Sequence, residues 1–125
     1  MDRGILRIGG VMAILTIVIG AFGAHGLQFV LEANDSVAIF ETAVRYQGTH
    51  ALGILILGVM TAEFDRKWLK LAEVFFLTGI LFFSGSLYVL SVTGMKFLGA
   101  ITPIGGVCLI AGWVMMITSL KKKKS

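Results

Sequence analysis

Glu41, Arg45, Tyr46 and His50 stand close together in one stretch of this chain, and a second histidine, His25, ends the glycine-studded run "GAFGAHGL". Glu41 and Arg45 are four residues apart, the spacing at which a carboxylate and a guanidinium share a helix face and form an ion pair. Tyr46 and His50 repeat that spacing one residue on. Histidine titrates near neutral pH and binds metals, so two histidines beside a carboxylate suggest proton handling or ligand binding. Ser84, Ser86, Tyr88 and Thr102 add hydroxyl groups. The same residues also suit a hydrogen-bonded network that only fixes helix register, since polar side chains join membrane helices in this way. His25, beside Gly26, equally suits a polar side chain placed where a helix leaves the membrane.

The elements that carry these residues are set by composition. The chain has 125 residues, of which 57% are hydrophobic and 14% charged, and its mean hydropathy is +0.92. A soluble domain carries about a quarter charged residues, so lipid is the expected solvent. Stretches without a formal charge run for 17 residues (8–24), 17 (46–62), 22 (74–95) and 24 (97–120). A spanning helix needs about 17–25 such residues. The expectation is an all-α integral membrane protein, a four-helix antiparallel bundle in one domain with spans near 5–25, 44–63, 70–93 and 97–120. "NDS" at 34–36 offers a helix start, so the second span should continue outward through an interfacial helical segment at 36–45.

Nine basic residues fall on one side: Arg3, Arg7, Arg66, Lys67, Lys70 and Lys121 to Lys124; Arg45 and Lys96 fall on the other. Basic residues favour the cytoplasmic side, so both termini are expected there, in a cell membrane. The net charge of +4 suits anionic lipid headgroups, and no nucleic-acid partner is expected. Glu63, Asp65, Arg66, Lys67, Lys70 and Glu73 read as a solvated cytoplasmic turn, with Trp68 as its interfacial anchor. On this topology, His25, Glu41, Arg45, Tyr46, His50, Ser84, Ser86, Tyr88 and Thr102 gather in the outer half as one ligand-binding cluster.

Sixteen glycines point to close helix packing, because small residues let membrane helices approach. Gly20, Gly23, Gly26, Gly48, Gly85, Gly105 and Gly106 are the expected packing positions, either within one chain or in a homo-oligomer. No nucleophile elbow, phosphate loop or histidine-glutamate metalloprotease pattern occurs. The two histidines lack the local spacing of a zinc motif, and neither metal nor cofactor is expected.

Four ordered stretches carry a resemblance. "GAFGAHGL", "ETAVRYQGTHALGIL", "FFSGSLYVLSVTG" and "LGAITPIGGVCLIAGW" resemble the DUF423 family of small bacterial membrane proteins, also called UPF0382 and related to the eukaryotic transmembrane protein 256. The resemblance covers nearly the whole chain. It implies the same membrane fold and stresses Gly23, His25, Gly26, Glu41, Arg45, Tyr46, His50, Ser84, Gly85, Ser86, Tyr88, Thr102, Pro103 and Gly105; it implies no particular activity. Members tend to carry a tyrosine before the second histidine, where this chain has Thr49. The expected function is non-enzymatic: the outer cluster binds a lipid headgroup, small ligand or partner. The alternative is a small-solute or ion transporter or channel acting as a homo-oligomer.

Overall fold

Asp2 starts the first helix. In the computed structural model, which describes residues 1–121, its backbone is extended and its carboxylate accepts from the Ile5 amide at 3.1 Å. That is the N-cap geometry that satisfies a free amide at a helix start. Helix α1 (Arg3–His25) is followed by a six-residue helix α2 (Gln28–Ala33) and by α3 (Val37–Met60). A turn capped by Asp65, which accepts from the Lys67 amide, leads into α4 (Arg66–Thr93). A 3-10 turn (Lys96–Ala100) then precedes α5 (Thr102–Ser119). Lys122 to Lys124, part of the expected basic tail, lie outside the described residues.

The long helices pack in chain order, α1 on α3, α3 on α4 and α4 on α5, and each pair is antiparallel. Gly9 lies against Leu55 while Gly23 lies against Phe40. Between α3 and α4, Ser84 reaches the Ala43 carbonyl and Gly53 meets Phe76. Between α4 and α5, Thr102 meets Ser86 and Gly112 meets Phe76. The tightest approach is at Gly105, where an added Cβ would collide with the Phe82–Phe83 backbone. Only glycine allows two helix backbones this close, and in lipid such dispersion contact replaces the missing hydrophobic drive.

The packed core joins Ile5, Ile54, Leu57, Leu69, Ala72, Phe76, Ile80 and Leu109. Apolar residues also point outward, among them Ile14, Ile17 and Val18 on α1 and Val107, Ile110 and Val114 on α5. An apolar surface of this extent suits lipid rather than water. α1, α4 and the stretch Lys96–Ser119 are each long and apolar enough to cross a membrane. α3 has 24 residues but carries Glu41, Arg45, Gln47 and His50, which lower its hydropathy.

Two local features depart from expectation. Helix α2 interrupts what reads as a plain link between the first two helices. Ser36 sits at the start of α3 but makes no capping bond; its hydroxyl donates to the Ser91 carbonyl at 2.7 Å. Asn34 donates to the Ser91 and Val92 carbonyls, at 3.1 and 3.0 Å. "NDS" therefore ties the α2–α3 link to the end of α4. That end is closed by Gly94 in the left-handed conformation (φ 73°), its amide donating to the Leu90 carbonyl, a backbone state that glycine adopts without a Cβ penalty.

Candidate functional site

All but one of the polar residues expected to form one cluster separate into two groups. The first is a ladder of satisfied groups between helices. His50 is 5% exposed, and its Nε2 accepts from the indole N–H of Trp113 at 3.0 Å. An indole nitrogen can only donate, so Nδ1 carries the ring proton and donates to the Tyr46 carbonyl at 2.7 Å. Phe76 packs edge-on against the same imidazole, and Tyr46 lies on Phe83. Both ring nitrogens of His50 are thus committed to the protein.

The ladder continues toward the α2 end. Tyr88 donates to Gln47 Oε1 at 2.6 Å, and Gln47 Nε2 donates to the Met12 carbonyl at 3.4 Å, so one glutamine joins α1, α3 and α4. Ser84 donates to the Ala43 carbonyl at 2.7 Å. Ser86 donates to the Phe83 carbonyl, which leaves its oxygen to accept from Thr102 at 2.7 Å. Trp113 and Gln47 were not among the expected site residues. Gln47 is on the same stripe as Phe40 and Ala43, and a lone tryptophan within an apolar helix needs a partner for its N–H; both signals are present in the sequence.

The second group borders a groove of about 420 Å³ between the end of α1, α2 and the start of α3. Its apolar floor is Gly20, Gly23, Leu31, Phe40 and Val44, and its polar rim is Gln28, Glu32, Glu41 and Arg45. Gly20 and Gly23 shape the floor, since an added Cβ would meet Val44 and Phe40 respectively. Glu41 and Arg45 are exposed, and among the described residues they form no ion pair, despite their i, i+4 spacing. Both line the groove. Glu32 differs: it accepts from Gln28 Nε2 at 3.0 Å.

His25 does not join either group. It is exposed, and its ring makes no hydrogen bond or ring contact among the described residues. The reason is register: at about 100° per residue, His25 stands about 200° around α1 from Gly23, which faces α3. Gly26 caps α1, donating to the Phe22 carbonyl at 2.6 Å, and lies against the Phe22 ring. Gly48 meets Thr16, whereas Gly85 and Gly106 have room for a methyl group.

Glu73 is a correction to the solvated turn. It is 1% exposed; Lys70 Nζ pairs with its Oε1 at 2.6 Å, and Oε2 has no hydrogen-bond partner among the described residues. Its turn-mates Arg66 and Lys67 are exposed, and Lys67 lies over the Trp68 ring. Arg66 reaches back to Asp2, Nε to Oδ2 at 2.7 Å, while the Asp2 amide donates to Thr61 Oγ1 at 2.7 Å. The Ile5 amide, with Arg66, holds the Asp2 carboxyl below the usual aspartate range.

Known proteins place the chain. The family described as "Protein of unknown function (DUF423)" matches residues 19–106. A UPF0382 membrane protein of Staphylococcus haemolyticus is 44% identical over 117 residues, covering 92% of this chain and 93% of that one. A UPF0382 membrane protein of Staphylococcus saprophyticus is 44% identical over 112 residues, covering 88% and 90%. The UPF0382 membrane protein YwdK of Bacillus subtilis is 38% identical over 122 residues, covering 92% and 94%. No solved structure matches the chain. A match over most of the apolar core, and relatives aligned nearly end to end, make this chain a member of the DUF423 (UPF0382) family of membrane proteins.

Proposed function

We propose that this protein is a non-enzymatic, four-span protein of the cell membrane whose α1–α2–α3 groove binds the headgroup of a membrane lipid. The carrying observation is that Glu41 and Arg45 line one groove without pairing with each other. A carboxylate and a guanidinium left open over a floor of Phe40, Val44 and two glycines match an amphiphile, polar at one end and apolar at the other. Ligand sites combine a few placed polar groups with an apolar lining in this way. In this reading α1, α3, α4 and α5 cross the membrane, the spans run near 5–25, 44–63, 70–93 and 97–120, and both termini are cytoplasmic. The segment 36–45 and α2 then lie at the outer interface, where Phe29, 85% exposed, dips toward the lipid. Cysteine labelling of intact cells should reach position 34 and miss position 63; the reverse pattern overturns the orientation.

The function is tested by lipid-dependent melting of delipidated protein in detergent. Added membrane phospholipid should raise the melting temperature of the wild type, and much less that of an Glu41→Gln, Arg45→Gln double variant. Equal gains would overturn the reading. Homo-oligomers fit the reading through the apolar outer faces of α1 and α5, and native mass spectrometry counts the subunits.

A second reading, a carrier for a small cation, is favoured by Glu73 alone. A buried carboxylate with an open oxygen in an apolar helix is a common mark of an ion path. The packing of Ile5, Ile54, Leu57, Leu69 and Phe76 supports lipid binding over such a path. Cation flux into proteoliposomes that is abolished by Glu73→Gln would reverse that order.

A further inference from the structure

We infer that the groove selects a phospholipid whose headgroup carries both a phosphodiester and a primary ammonium. The inference rests on the lipid-binding reading and adds the class of headgroup. Three charged side chains line the groove: the carboxylates of Glu32 and Glu41 and the guanidinium of Arg45. A guanidinium presents a planar fork of donors that fits a phosphate. Two carboxylates beside it make the rim net negative, so a headgroup with phosphate as its only charge meets attraction at Arg45 and repulsion at both glutamates.

A second, positive group resolves this conflict. Glu41 and Arg45 stand about one helical turn apart along α3, roughly 5–6 Å, a separation that the short chain joining phosphorus to nitrogen in an aminoethyl phosphate can bridge. The ammonium then lies toward Glu41 and Glu32, the phosphate toward Arg45. A primary ammonium donates hydrogen bonds to carboxylates, which a trimethylated nitrogen cannot. Gln28, hydrogen-bonded to Glu32, holds that carboxylate at the rim. Below it, Leu31, Phe40 and Val44, with the bare helix surface at Gly20 and Gly23, offer the start of an acyl chain an apolar bed.

The test is native mass spectrometry of the full chain from mixed micelles holding equal amounts of phosphatidylethanolamine, phosphatidylglycerol and phosphatidylcholine. The wild type should retain phosphatidylethanolamine about fivefold over either competitor, the ratio that one exposed charge pair supports. Glu32→Gln with Glu41→Gln should erase the preference over phosphatidylglycerol, and Arg45→Gln should reduce retention of all three. Both variants change exposed side chains, so their melting temperatures should match the wild type and confirm that the fold is intact. Wild-type retention of phosphatidylglycerol at an equal or higher level, still sensitive to Arg45→Gln, would overturn the headgroup inference and leave lipid binding standing. Retention unaffected by any of these substitutions would overturn the groove itself. Water-soluble glycerophosphoethanolamine should fail to displace the lipid at equal concentration; displacement would overturn the claim that the ligand is a lipid.

Discussion

At the end of the molecule where α1 begins, Asp2 and Arg66 are engaged in holding the fold. Asp2 caps α1 through Ile5, pairs with Arg66 of α4 and, through its amide, holds Thr61 beyond α3. At the end where α1 finishes, Glu41 and Arg45 have the spacing of an ion pair and do not form one. Both ends hold charged groups at helix boundaries; they differ in what surrounds them. The first set meets other helices, and the second opens on a groove with glycines in its floor. Charge near a membrane helix end is therefore structural where three elements converge on it and available where a gap is left.

This contrast can be broken or sharpened by substitution, read as thermal unfolding in detergent. The largest effect belongs to the packed side: Gly105→Ala drives a methyl group into the α4 backbone and should cost about 1–3 kcal/mol. The adjacent Gly106→Ala, whose methyl group would only touch the Phe83 ring at ordinary van der Waals distance, should stay within about 0.5 kcal/mol; similar losses at both positions would mean that the α4–α5 contact lies elsewhere. Trp113→Phe leaves His50 Nε2 without its donor and should cost about 1–2 kcal/mol, more than Tyr88→Phe at about 0.6 kcal/mol. Asp2→Ala removes a cap, about 1 kcal/mol.

The Asp2 contribution also has a pH sign. Its folded pKa lies below the ordinary value of 3.8, so its stabilisation is complete above that value and is lost as pH falls through the lower, folded one. Melting curves at descending pH should show this loss in the wild type and not in Asp2→Asn. The smallest effect on stability is expected at the groove, where Glu41→Gln and Arg45→Gln should each change it by less than about 0.5 kcal/mol while weakening lipid retention. A large loss of stability there would return both residues to a structural role.

The helical, lipid-adapted character of the chain was legible because charge is nearly absent over long stretches, and one continuous helix from Val37 follows from the lack of breakers. What faces what was harder. Ion-pair spacing at Glu41 and Arg45 permits contact without compelling it, since long exposed side chains lose entropy when held together. His25 needed a register: two residues beyond Gly23 is enough to turn it to the other side of α1. Glu73 had the opposite problem. It follows a charged turn in sequence, yet it is four residues from Leu69, three from Phe76 and seven from Ile80, the periodicity of the buried face. The short helix α2 has no capping side chain and leaves little trace in "QFVLEA". The groove it helps to form is a tertiary product of α2 folding back, beyond the reach of any local pattern.

The most direct measurement is photo-crosslinking with a phospholipid that carries a diazirine near its glycerol, followed by mapping of the modified peptides. The groove predicts adducts concentrated at residues 20–32 and 37–45, on α1, α2 and α3 at once, and a loss of both sets in Arg45→Gln. Adducts spread over the exposed apolar faces of α4 and α5, with no change in that variant, would contradict it.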